Sequence, residues 1–192
     1  SKAGSDHLCN SWFHTYDFPV IRTNCSNNYG PYQFPEKLIP LIIIKALNQS
    51  SIPIYGDGKN IRDWLFVEDH IEALIMAIKK GEIGCNYCIG GNNEKTNIEI
   101  AEFICKYLDK RVPIKKSYKD LIKFVKDRPG HDRRYAIDSS LISKDIGWEP
   151  KNSFEEGIEK TIEWYLNNKS WYEDVQRKSG YKGERIGLNK SF

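Results

Sequence analysis

The chain has 192 residues, 40% of them apolar, with 29 basic against 26 acidic side chains and a formal charge of +3. That is enough apolar material for one large or two small packed domains, and so balanced a charge argues against a nucleic-acid partner, whose many phosphates would have to be neutralised. The longest apolar run, Leu38 to Leu47, is broken by Pro40 and Lys45, so no membrane span is expected, and the polar start Ser1 to Asp6 does not read as a signal peptide.

Leu8, Cys9, Trp12, Phe13 and Tyr16 recur at spacings of three and four, which predicts an amphipathic helix over Ser1 to Tyr16. Val20 to Thr23 reads as a short strand and the Asn- and Pro-rich segment behind it as a long ordered loop. A second helix is predicted over Phe34 to Ala46, opened by Pro35, because proline suits a first helical turn. Asp63 to Val67 is a predicted strand; Asp69 can cap a helix running to about Lys80, and Gly81 can stop it. Asn86 to Ile89 is the next strand. Two capping boxes follow, Thr96-Asn97-Ile98-Glu99 and Ser153-Phe154-Glu155-Glu156. The first opens a helix to about Leu108, and the second opens one that sets Ile158, Ile162, Tyr165 and Leu166 on one face. Beyond Trp171 the chain is polar and Gly-bearing and reads as a poorly ordered tail. Strands interleaved with helices predict an α/β architecture with mostly parallel pairing.

Five cysteines, at 9, 25, 85, 88 and 105, give no disulfide framework. Cys85 and Cys88 have the spacing of a redox or zinc pair, but they fall in a strand-like segment where residues three apart point to opposite faces. The expectation is five buried structural thiols in a reducing cytoplasm, and no metal site.

The segment Asp127 to Asp138, DRPGHDRRYAID, sets Arg128, Arg133, Arg134 and His131 around a Pro129-Gly130 turn. Guanidinium forks match phosphate oxygens two at a time, and the turn would aim Arg128 and His131 at one point, so the segment reads as an anion site. The alternative is a solvated loop whose arginines pair with nearby carboxylates.

Together with TNCSNNYGPYQFPEKLIP (Thr23 to Pro40), PIYGDGKNIRDWLFVEDH (Pro53 to His70) and NYCIGGNNEKTN (Asn86 to Asn97), in this order, the segment resembles the dTDP-glucose 4,6-dehydratases of the extended short-chain dehydrogenase/reductase superfamily. The resemblance runs to about Tyr165. It implies the C-terminal portion of a Rossmann-type fold with a small α/β substrate-binding lobe. Residues 1–24 and 62–91 would belong to the dinucleotide-binding domain, 25–61 and 92–170 to the lobe, and 171–192 to the tail. No glycine-rich dinucleotide fingerprint occurs in the chain, so the N-terminal dinucleotide-binding half is expected to be absent.

By the same resemblance Lys2 is the lysine of the family's Tyr-x-x-x-Lys pair, with the tyrosine four positions before it and outside the chain. Its ammonium would hydrogen-bond the nicotinamide ribose of NAD and lower the tyrosine's pKa. Asn28 would meet the nicotinamide carboxamide and Asn27 the sugar nucleotide. Lys37 and Leu38 would approach the diphosphate of dTDP-glucose at a helix N-terminus, and Pro53, Ile54 and Tyr55 would form the pocket for the pyrimidine. Arg62 and Arg128 would grip the diphosphate from two sides, with Asn97, Asp127, Pro129, Gly130 and His131 completing the cleft. The implied cycle removes hydride from sugar C4, loses water across C5 and C6, and returns hydride to C6. The fragment is expected to be inactive alone, and the intact enzyme to be a cytoplasmic homodimer joined partly through the helix bearing Leu8, Trp12 and Tyr16. The other readings are a nucleotide-sugar epimerase or decarboxylase of the same superfamily, and a non-catalytic nucleotide-sugar-binding module.

Overall fold

A computed structural model describes residues 1–181. In chain order its elements are α1 (Lys2–Tyr16), β1 (Arg22–Cys25), β2 (Asn27–Tyr29), α2 (Leu38–Leu47), β3 (Ile52–Tyr55), β4 (Ile61–Phe66), α3 (Val67–Lys80), β5 (Asn86–Ile89), β6 (Glu94–Thr96), α4 (Asn97–Arg111), β7 (Ile122–Val125), β8 (Arg134–Tyr135), α5 (Ser140–Ile146), α6 (Phe154–Asn167) and α7 (Lys169–Ser179), with a 3-10 turn at Tyr118–Leu121. The fold is α/β, and the strand pairs β1–β5, β2–β4, β3–β7 and β4–β8 are all parallel.

The chain divides into two compact units. The first comprises Ser1–Tyr29, Ile61–Lys95 and Arg133–Gly157, the second Gly30–Asn60, Thr96–Asp132 and Ile158–Phe192. Arg133–Gly157 therefore groups with the first unit, whereas the sequence reading places it in the substrate lobe.

In the first unit, β2 pairs with β4 so that Asn28 lies opposite Leu65, and β4 passes without a loop into α3. Its core gathers Leu65, Ala73, Ala77, Tyr87, Ile89, Ile142, Ile146 and Trp148. Small residues at Ala73 and Ala77 let α3 lie close to the strands. The helix begins at Val67, before the expected cap. Asp69 is instead a buried carboxylate that accepts hydrogen bonds from the backbone N–H of Lys151 and Asn152 and from the Asn152 amide, at 2.9 to 3.2 Å. It ties α3 to the segment before α6, which a helix-start pattern cannot reveal. The expected first helix is present, but none of its residues is buried; Leu8, Trp12 and Tyr16 are exposed.

In the second unit α2 packs on α4 and β3. Its sequence, with three consecutive isoleucines, is a mediocre helix former. Burial of Ile39, Ile42, Ile43, Ile44 and Ala46 holds it helical regardless. It starts at Leu38 rather than Phe34, with Pro40 in the first turn, where the missing N–H has no intrahelical partner to lose. The capping boxes of α4 and α6 form as expected: Thr96 and Glu99 exchange hydrogen bonds, and so do Ser153 and Glu156. The tail expectation fails for residues 171–179, which lie in α7. Tyr172 is buried, and Trp171 stands edge-on to Tyr32 and Trp164, with ring centroids 5.4 and 5.0 Å away. Gly180 and the buried Tyr181 follow α7, and residues 182–192 of the expected tail lie outside the described residues.

The cysteines are all free, but only Cys105 is buried; the other four are half-exposed. Burial pushes the Cys105 thiol up to about 12, which keeps it unreactive. Among the described residues no cluster of ligand side chains could hold a metal, and no helix is long and apolar enough to cross a membrane.

Candidate functional site

In the first unit the chain crosses from β1 to β2 at Ser26, whose N–H donates to Ile89 O at 3.0 Å. Asn28, two residues on, donates from Nδ2 to Ser26 O at 3.1 Å, and its Oδ1 lies 2.8 Å from Nδ1 of His70 in the first turns of α3. Burial lowers the His70 pKa, which favours the neutral ring. The Ser26 hydroxyl is buried and has no hydrogen-bond partner among the described residues.

Beside this turn Asp63, 1% exposed, accepts from Gly91 N at 2.9 Å on one oxygen and from Asn93 N at 2.8 Å on the other. The Gly90-Gly91 pair is thus a clamped bend. A Cβ on Gly91 would lie 2.0 Å from Trp64 O, so only glycine allows the approach. Arg62 is also buried and donates from Nη1 to Ile61 O at 2.6 Å. Lys2 is exposed at the start of α1, and Asn27 pairs with Trp64 across β2 and β4.

In the second unit the register of β3 on β7 brings two of the sequence blocks together. Pro53, Ile54 and Tyr55 lie opposite Lys123, Phe124 and Val125, two residues before Asp127. The Gly56 N–H donates to Val125 O at 2.9 Å, and its left-handed φ of 59° turns the backbone against the Asp127 carboxylate, 2.9 Å from where a Cβ would sit. The next residues feed the start of α4, where Asn97 N donates to Asn60 O at 3.1 Å and Ile98 N to Gly58 O at 3.0 Å. Asn97, the 53–60 segment and the Asp127–His131 loop therefore share one side of this unit.

The loop itself is organised by Asp127. Its Oδ1 accepts from Arg128 N at 2.8 Å and lies 2.7 Å from Nδ1 of His131. The His131 contact, then the Arg128 N–H, hold the carboxyl below the usual aspartate range. The His131 ring thus turns back on Asp127, while Arg128, Pro129 and Gly130 are exposed. Ile54 is 1% exposed and its side chain is core; only Pro53 and Tyr55, on the alternate face, retain surface. Lys37, the residue before α2, pairs with Glu36 at 2.7 Å. Arg134 does not join the anion cluster. It makes a two-pronged ion pair with Glu94, both contacts 2.6 Å, in the first unit. For this arginine the carboxylate-pairing alternative holds.

Sequence reasoning did not single out His70 or Asp63 and read Asp69 only as a helix cap. Asp63 opens an apolar strand run and the other two follow it, whereas their partners, Asn28, Gly91 and Asn152, are 28 to 83 residues away.

Comparisons with known proteins agree on one family. The family model described as GDP-mannose 4,6 dehydratase matches residues 1–161. A dTDP-glucose 4,6-dehydratase of Neisseria meningitidis serogroup B is 55% identical over 99% of this chain and 54% of its own length. Among solved structures, dTDP-glucose 4,6-dehydratase from Bacillus anthracis in complex with NAD is 48% identical, with a TM-score of 0.83 over 91% of this chain and 53% of that one. The Streptomyces venezuelae dTDP-glucose 4,6-dehydratase, solved with NAD and a second ligand bound, is 39% identical with the same TM-score, over 91% of this chain and 52% of that one. The chain spans about half the length of the relatives it matches. With the parallel α/β architecture and the conjunction of the 53–60 and 127–131 segments, these similarities show that the chain belongs to the GDP-mannose 4,6 dehydratase family, with the Rossmann-type fold of the extended short-chain dehydrogenases/reductases.

Proposed function

We propose that this chain is the nucleotide-sugar-binding portion of an NAD-dependent dTDP-glucose 4,6-dehydratase, a hydro-lyase that makes dTDP-4-keto-6-deoxyglucose and works as a cytoplasmic homodimer. The observation that carries the reading is 55% identity to a named dTDP-glucose 4,6-dehydratase across 99% of the chain. The second unit holds the base and diphosphate. Tyr55 and Pro53 face the pyrimidine, Ile54 contributes backbone, and Arg128 and the N-terminus of α2 at Lys37 and Leu38 meet phosphate oxygens. Asp127, through its bonds to Arg128 N and His131, shapes the loop that carries the guanidinium. Asn97 and His131 complete this side.

The first unit's polar turn suits a nicotinamide group. The amide of Asn28 is held, and the neighbouring Ser26 hydroxyl is buried with no partner among the described residues, a polar atom that a polar ligand would satisfy. NAD, when bound, supplies hydride transfer. Lys2 provides the positive charge that favours a neighbouring tyrosine in its phenolate form.

The chain by itself is proposed to have no turnover, since the dinucleotide fingerprint is not among its residues. Purified full-length enzyme and the 192-residue chain, each incubated with NAD and dTDP-glucose, test both statements. The full-length enzyme should release a 4-keto-6-deoxy sugar nucleotide and the chain none. A full-length enzyme that leaves dTDP-glucose untouched overturns the assignment, and turnover by the chain overturns the division of labour.

A further inference from the structure

We propose that His70 is a positioning residue that fixes the orientation of the Asn28 amide and thereby sets how a carboxamide ligand group is received. The inference rests on the reading that Asn28 meets the nicotinamide carboxamide. A primary amide has two ends of nearly equal size, so its direction is set only by partners that tell donor from acceptor. Asn28 has one on each side. Nδ2 donates to the Ser26 carbonyl at 3.1 Å, and Oδ1 faces His70 Nδ1 at 2.8 Å, a well-formed hydrogen-bond length.

Turning the amide over would set oxygen against the Ser26 carbonyl. With Nδ2 engaged there, Oδ1 needs a donor, so Nδ1 of His70 carries the proton and Nε2 is the bare nitrogen of the neutral ring. Burial, which lowers the His70 pKa, agrees with that neutral form, and Nδ1 would remain a donor in the charged form as well.

The parts are held by regular structure rather than by a loop. Asn28 sits on β2 opposite Leu65 of β4, and β4 runs straight into α3, so His70 follows Leu65 by five residues with no flexible link between. Functional groups supported in this way keep their geometry far better than groups on loops. A nicotinamide carboxamide offers one acceptor and one donor, and a fixed Asn28 distinguishes the two ways round where a flipping one would not.

The test uses the full-length enzyme. Dissociation constants for NAD and for dTDP are measured in wild type, Asn28→Ala, His70→Asn and His70→Gln, with thermal melting of each. An asparagine at 70 can place its amide N–H where Nδ1 stood; a glutamine places it near Nε2, out of reach of Asn28. His70→Gln should weaken NAD about fivefold to tenfold, the range for one lost hydrogen bond, and leave dTDP unchanged, while His70→Asn should stay within about twofold of wild type. If His70→Gln fails to fold, His70→Phe, which keeps the ring's bulk and lacks both nitrogens, reports the same loss. The inference is overturned if the asparagine and glutamine variants lose NAD affinity equally, or if dTDP weakens in step with NAD, since either means that His70 only supports the fold. It is also overturned if Asn28→Ala weakens NAD and His70→Gln does not, which leaves the Asn28 reading standing. Unchanged NAD affinity in Asn28→Ala refutes that reading and the inference together.

Discussion

Replacing Asp63 by asparagine should destabilise the first unit far more than its small change in shape suggests. The carboxylate is 1% exposed and both its oxygens accept backbone N–H groups, Gly91 at 2.9 Å and Asn93 at 2.8 Å. An asparagine has one acceptor, so whichever way it turns, its NH2 group confronts an N–H. The change removes one charge-assisted hydrogen bond, worth about 1.5 to 3 kcal/mol, and strands a buried donor at about 1 to 3 kcal/mol. A loss of roughly 3 to 5 kcal/mol follows, which should lower the melting temperature of the full-length protein by at least about 5 °C. Arg134→Ala is the matched control. Its ion pair with Glu94 is two-pronged but exposed and screened by solvent, so its loss should barely move the melting temperature. Thermal melts of wild type and both variants decide it. Should Asp63→Asn melt within a degree or so of Arg134→Ala, the two N–H contacts are not holding the Gly91 bend and the reasoning fails.

Arg128→Ala should weaken dTDP binding to the full-length enzyme by roughly ten- to a hundredfold and thymidine hardly at all, with Arg128→Lys recovering only part; calorimetric titration of both ligands checks this, and an equal loss for thymidine would assign the arginine to the fold. Asp127 titrates below the usual aspartate range in the folded protein, chiefly because of His131. Its contribution is therefore complete above the ordinary aspartate pKa and lost as pH falls through the lowered value, so amide protection factors over residues 127–131, corrected for the intrinsic pH dependence of exchange, should fall on acidification through that window in wild type and not in Asp127→Asn. Tyr172→Ala should cost about 3 to 5 kcal/mol because the ring is 2% exposed. A surface-like loss below about 1 kcal/mol would restore the view of this segment as a tail.

Much of the fold is legible in local pattern. The capping boxes at Thr96 and Ser153 mark their helices because each satisfies its own orphan N–H groups within four residues, and β5 coincides with the predicted Asn86 to Ile89. What escapes the sequence is decided at a distance. The start of α2 is set by burial of the isoleucines rather than by Pro35, and α7, with Tyr172 buried and Trp171 against Trp164, is hidden in the sequence by its polar residues. At the candidate site, the blocks around Pro53 and Asp127 are visible as motifs, while their contact depends on the β3–β7 register. Arg134 sits in the same motif as Arg128 yet serves Glu94, since a guanidinium pairs with whichever carboxylate the fold delivers.

The most direct test of the assignment follows a deuterium atom placed at C4 of the glucose of dTDP-glucose through one turnover of the full-length enzyme. Mass and NMR analysis of the product should find one water lost and the label at C6 of a 4-keto sugar. Label returned to C4 of a hexose that has lost no water would contradict the account and point to an epimerase.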